Sequence, residues 1–78
     1  MSRPFYDAAL GMWVCLGIIG GKAVLFDCPS LMNALTIQSI VQNSDKHRLS
    51  FNECILLCGA FGRTFFVAKT YINCPPGK

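Results

Sequence analysis

Charged residues are scarce in this sequence, and the few that are present do not cluster. Only 14% of the 78 residues are charged, whereas typical globular domains carry about 25%. Seven basic residues against four acidic ones give a net charge of +3, and only residues 46–48 are locally basic. Nucleic-acid-binding domains usually gather their basic side chains into a patch or stripe. We therefore expect no DNA or RNA partner.

Residue combinations that support catalysis or metal binding are also missing. His47 is the single histidine, and it lies in a polar loop without a second histidine or a carboxylate pattern nearby. Cys54 and Cys58 are separated by three residues, not by the two residues of most zinc and redox motifs. The sequence has no Gly-rich phosphate loop, no Ser/His/Asp set and no paired carboxylates. We expect no enzyme activity, no metal and no cofactor.

The cysteine count is odd, which argues against a fully paired disulfide framework. Of the five cysteines, Cys15 and Cys58 lie inside apolar runs and resemble small buried hydrophobic residues. Cys28 and Cys74 flank prolines at predicted segment ends. These two could pair if the segment ends met, but nothing in the sequence requires it.

Apolar residues are what the sequence has in excess, at 53% of the chain. A chain this short encloses little interior, so part of the excess must face lipid or another protein. Residues 8–26 form a 19-residue run with one charge, Lys22, and no polar face. About 20 apolar residues span a bilayer as a helix. The run also resembles a signal peptide behind Arg3, although Asp7 fits that pattern poorly.

A second long segment begins with Ser50-Phe51-Asn52-Glu53, which matches a capping box at a helix start. The apolar run behind it continues to about residue 72, where prolines follow. Between the two long segments, residues 31–43 show helical spacing of polar and apolar side chains after a cap at Asp27 or Ser30. Residues 44–49 are polar and indicate a loop.

The favoured fold is all-α: a transmembrane helical hairpin with spanning helices at about 6–26 and 51–72 and a short amphipathic helix at about 31–43. Residues 1–78 then form a single two-helix subunit, integral to a membrane, for which an organelle inner membrane is a candidate. Small residues recur at four-residue spacing, which lets helices approach closely in lipid. The predicted helix-packing residues are Gly11, Cys15, Gly17, Gly21, Cys54, Cys58 and Gly62.

Three charged residues fall inside the predicted spans. Lys22 and Glu53 would lie roughly 5–6 Å below the surface at the loop end and could pair. Arg63 would lie deeper, about 13 Å from the far end. A charge there costs at least ~2.5–3.5 kcal/mol, so we expect a carboxylate, carbonyl or lipid phosphate from outside the chain. The alternative is that Arg63 extends to the surface without a partner.

The corresponding function is a structural accessory subunit of a larger membrane complex, of respiratory, photosynthetic or translocation type, with other subunits and membrane lipids as partners. A membrane-active pore-forming peptide is a weaker possibility. The competing fold is a small soluble α+β domain with a β-hairpin at Gly20-Gly21, helices at 31–43 and 51–60, and a strand at 64–72. Its apolar excess would require a dimer or a tightly bound partner.

Overall fold

Three strands, two helices and a fourth strand follow one another in the computed structural model, which describes residues 3–68. The strands form one antiparallel sheet in the order β1-β2-β3-β4. Both helices lie in the chain between β3 and β4, so the last strand returns to the sheet after the helical layer. The strands are β1 (Phe5–Asp7), β2 (Met12–Ile19), β3 (Lys22–Cys28) and β4 (Arg63–Val67), and the helices are α1 (Leu31–Gln42) and α2 (Phe51–Cys58).

A two-residue turn joins β2 to β3. Gly20 and Gly21 have φ angles of 57° and 79°, and two consecutive positive φ values are typical of the tight turn that matches the twist of a hairpin. Directly behind this turn, Ile19 pairs with Lys22. The turn therefore sets which residues of both strands share a face.

Both helices begin with a serine cap. The Ser30 hydroxyl accepts a hydrogen bond from the Asn33 amide at 3.2 Å. At α2, the Ser50 hydroxyl accepts from the Glu53 amide at 3.1 Å, and the Glu53 carboxylate accepts from the Ser50 amide at 2.8 Å. The predicted capping box is confirmed. A helix also occurs where the amphipathic segment was predicted, at Leu31–Gln42, with Ala34, Ile37 and Val41 buried.

The core lies between the sheet and the helices. Gly17 allows α1 to approach β2, because a Cβ atom at Gly17 would lie 3.1 Å from a methyl group of Val41. Gly62, directly before β4, is packed still more tightly: its Cβ would lie 2.8 Å from both Cys28 Sγ and Ile37 Cδ1. The buried cluster comprises Cys15, Ile19, Val24, Phe26, Cys28, Ala34, Ile37, Val41, Cys54 and Cys58.

The predicted helical hairpin is wrong. Residues 6–26, expected as the first spanning helix, instead form parts of β1, β2 and β3 and the two turns between these strands. The second span is replaced by the eight-residue α2 and by β4, and its last residues, 69–72, lie outside the described part. Within residues 3–68, neither helix combines the length and apolarity needed to cross a membrane. The integral-membrane location rested on those two spans and is wrong with them.

The competing α+β fold matches the structure in its main elements. The hairpin turns at Gly20-Gly21, α1 lies within the predicted 31–43, and α2 lies within the predicted 51–60. The predicted last strand, 64–72, corresponds to β4 at Arg63–Val67 within the described residues. A uniformly apolar run lacks the periodicity that separates a buried strand from a spanning helix, which is why residues 8–26 were misassigned.

We predict that Gly62→Ala lowers the free energy of unfolding by about 1–3 kcal/mol, because the added methyl group overpacks the contact with Cys28 and Ile37. Gly59→Ala is the matched control. Gly59 has an ordinary helical φ of −60°, so alanine there should be neutral or slightly stabilising. Urea unfolding of both variants checks this, and equal stability of the two would contradict the packing described for Gly62.

Candidate interaction surface

One face of the sheet carries apolar side chains that no helix covers. Both helices pack on the other face, where Cys15, Val24 and Phe26 belong to the core cluster. Because cross-strand partners share a face, the pairs Leu16–Leu25, Leu25–Phe66, Ile18–Ala23 and Phe5–Val14 point the opposite way. We call this surface the open face, defined by Phe5, Leu16, Ile18, Ala23, Leu25 and Phe66. Val14 points to the same side but is only 2% exposed.

The open face exposes large hydrophobic side chains to solvent. Phe5 is 55% exposed and Phe66 is 53% exposed, and Ile18 is exposed as well. Phe65, the extra residue at the bulge between β3 and β4, is 46% exposed. Single exposed hydrophobic residues are ordinary, but a contiguous exposed patch marks a site of interaction.

The charged residues on this side of the sheet lie at one end, away from the Gly20-Gly21 turn. Asp27 pairs with Arg63 across β3 and β4, and Arg63 Nη2 donates to Asp27 Oδ2 at 3.2 Å. The Arg63 side chain is 80% exposed, whereas that of Asp27 is only 6% exposed. Asp27 Oδ1 is buried without a hydrogen-bond partner among residues 3–68. Arg63 therefore pairs with a carboxylate of its own chain, although the predicted helical hairpin separated the two residues.

The other two predicted intramembrane charges occupy different surroundings. Lys22 Nζ lies 4.6 Å from the centre of the Phe51 ring, in a cation–π contact. The Glu53 carboxylate caps α2 through the Ser50 amide. No Lys22–Glu53 ion pair occurs in the described part of the chain. Lys22 and Phe51 instead connect the start of β3 to the start of α2.

The small residues that were assigned to helix packing fall into two groups. Cys15, Gly17, Cys54, Cys58 and Gly62 all pack inside the fold, between sheet and helices. The other two, Gly11 and Gly21, lie in turns and have φ angles of 68° and 79°. Small residues therefore do permit close packing here, but between a sheet and two helices.

Four thiols lie in the core: Cys15, Cys28, Cys54 and Cys58 are buried and free. Burial raises the pKa of Cys15 from 9.0 to about 11 and that of Cys58 to about 12, and it also raises the pKa of Cys28 and Cys54. A protonated buried thiol is a poor nucleophile. Within residues 3–68, no group of His, Cys, Asp or Glu side chains is arranged to hold a metal ion. The suggested Cys28–Cys74 pair involves a residue outside the described part.

No local motif in the sequence marks the residues of the open face. The available signal was the Gly20-Gly21 turn, because its register assigns alternate residues of β2 and β3 to opposite faces. The residues of β2 and β3 are apolar on both faces, a pattern that is typical of a sheet covered on both sides. Comparison of the chain with protein-family models, curated proteins and solved structures found no match.

We predict that Arg63→Met lowers the free energy of unfolding by about 1–3 kcal/mol, because it leaves the buried Asp27 carboxylate without its charged donor. The double variant Asp27→Leu/Arg63→Met removes both partners and should be more stable than Arg63→Met alone. Urea unfolding at one fixed protein concentration measures both. If Arg63→Met unfolds at the wild-type urea concentration, the ion pair does not contribute to stability.

The raised thiol pKa values predict a loss of stability in alkali. Below pH 9 the cysteines are protonated in both folded and unfolded chains, so they do not make the free energy of unfolding depend on pH. Between pH 9 and about 11 the Cys15 and Cys58 thiols ionise mainly in the unfolded chain, so the free energy of unfolding should fall. Urea unfolding across this range measures the slope. Cys15→Ala should be less stable at every pH, but its free energy of unfolding should fall less steeply with pH. An unchanged slope would contradict the raised pKa of the Cys15 thiol.

Proposed function

We propose that this chain is an interaction module that binds a second copy of itself through the open face. The observation that carries the proposal is the contiguous apolar surface around Leu16, Leu25 and Phe66. A two-layer domain of this size buries only part of its apolar surface alone. Covering the second side of the sheet would complete a layered arrangement with helices outside and two sheets inside.

The size of the domain suits a dimer interface. Its Cα atoms extend over 32 × 31 × 18 Å, so the molecule is broad and thin. An ellipse with the two longer extents covers roughly 800 Å², which is about the area that each partner contributes to a standard-size interface. Face-to-face association could therefore bury enough surface for a stable complex.

The charge distribution favours a second copy as the occupant. In a two-fold dimer the same patch meets itself, so a charge at its centre would face a like charge. The centre of the open face carries none, because Asp7, Asp27 and Arg63 all lie at the end away from the hairpin turn. Asp27 and Arg63 also compensate each other within one chain. The apolar part can therefore meet its own copy without burying an unpaired charge.

This proposal follows the interaction-module alternative. The role of accessory subunit in a membrane complex depended on two spanning helices, and those segments are strands and a short helix. The proposal assigns the chain no catalytic step and no nucleic-acid partner. It includes no catalytic step because the core thiols are buried. It includes no nucleic-acid partner because the basic residues are scattered along the sequence.

We predict that the purified chain sediments as a dimer at micromolar concentration and that Ile18→Lys weakens this association about tenfold or more, because it places a charge in the apolar interface. Analytical ultracentrifugation measures both. The thermal midpoint of the wild type should also rise with protein concentration, because association stabilises the folded state.

Leu56→Lys is the control for this experiment. Leu56 lies on α2 and is 78% exposed, so its substitution adds the same charge to the helical side of the domain. It should leave the association unchanged, and circular dichroism should show both variants folded. A wild-type chain that is monomeric up to 100 µM (about a hundred times a micromolar dissociation constant), or equal effects of the two lysines, would overturn the proposal.

A further inference from the structure

A groove lies on the helical side of the sheet, on the opposite surface from the open face. Helix α1 crosses β2 and β3, and next to its first turns a cavity of about 430 Å³ remains. This volume lies within the range of sites for small molecules, about 300–1,000 Å³. The lining residues are Arg3, Pro4, Trp13, Leu31, Leu35 and Gln38.

The walls of the groove are apolar. Leu31 and Leu35 are one turn apart on α1, and both are exposed. The half-buried ring of Trp13 lies opposite, in β2, and is held by an edge contact with Tyr6 at 5.5 Å between ring centres. Two leucines and an indole form a surface that a hydrocarbon chain or an aromatic ring can cover.

The polar groups of the groove are suited to an anion. Arg3 is exposed and forms no ion pair within residues 3–68. The indole N–H of Trp13, which can only donate, has no hydrogen-bond partner among the described residues. Among residues 3–68, no acidic side chain lines the groove. Asp7 follows Tyr6 in β1 and points to the side of the open face, where its carboxylate accepts from the amides of Ala9 and Leu10, at 3.0 and 3.2 Å.

We propose that this groove binds a small amphipathic carboxylate, such as a medium-chain fatty acid. The apolar part lies between Leu31, Leu35 and Trp13, and the carboxylate accepts hydrogen bonds from the Arg3 guanidinium and the Trp13 indole. Arginine is well suited to this role because its planar fork matches a carboxylate. The groove and the open face lie on opposite sides of the sheet, so ligand binding does not depend on self-association.

Fluorescence gives a direct test, because Trp13 is the single tryptophan of the sequence. Titration with decanoate below its micelle-forming concentration should change the Trp13 emission in a saturable way. Decanol and decylammonium, which share the chain but lack the carboxylate, should bind at least about tenfold more weakly, because charge-assisted hydrogen bonds are lost. A chemical-shift change of the Trp13 indole N–H in NMR should follow the same curve.

Variants separate the proposed contacts from general effects of charge and hydrophobicity. Arg3→Gln should weaken decanoate binding about tenfold, whereas Lys46→Gln, which removes the same charge from the exposed 44–49 loop, should not. Leu35→Gln should also weaken binding, and Leu56→Gln should not. No saturable response, an equal response to decanol, or an Arg3→Gln affinity equal to wild type would overturn the proposal. Ile18→Lys should keep wild-type affinity, which distinguishes this site from the dimer interface.

Discussion

The close packing of α1 against β2 is the contact on which the rest of the structure depends. Gly17 lets Val41 come within van der Waals distance of the strand, and Ile37 then lies in the core with Phe26 and Cys28. Since α1 is the helix that covers the sheet, its position decides which apolar residues are buried. It also leaves the groove beside Trp13 at one edge, and on the opposite side of the sheet Phe5, Ile18 and Phe66 remain exposed.

The chain has apolar residues for both sides of its sheet but helices for only one. On β2 and β3, residues that face the helices alternate with apolar residues such as Leu16, Ile18 and Leu25 on the open face. This imbalance explains the hydrophobic composition without a membrane span. Small side chains, including Cys54 and Cys58 on α2, fill the thin space between the layers. These two cysteines serve as small packing residues and not as reactive groups, because burial raises the pKa of their thiols and keeps them protonated.

Local signals in the sequence were sufficient for several elements. Ser50 and Glu53 mark a helix start because both hydrogen bonds form within four residues. The pattern of residues 31–43 identifies an amphipathic helix, and Gly20-Gly21 permits the hairpin turn. The open face was not identified, because it depends on strand register. The Asp27–Arg63 pair joins residues 36 positions apart, so no local pattern could reveal it.

The sequence by itself determined the helix starts and the turn residues, because these follow from short-range hydrogen bonding and local backbone geometry. Only the tertiary structure decided between helix and strand for residues 8–26. A run that is apolar throughout is equally compatible with a spanning helix and with the strands of a sheet that is buried on both sides. The decision comes from tertiary pairing: β4 pairs with β3 although α1 and α2 lie between the two strands in the chain. That pairing also gives Arg63 its carboxylate.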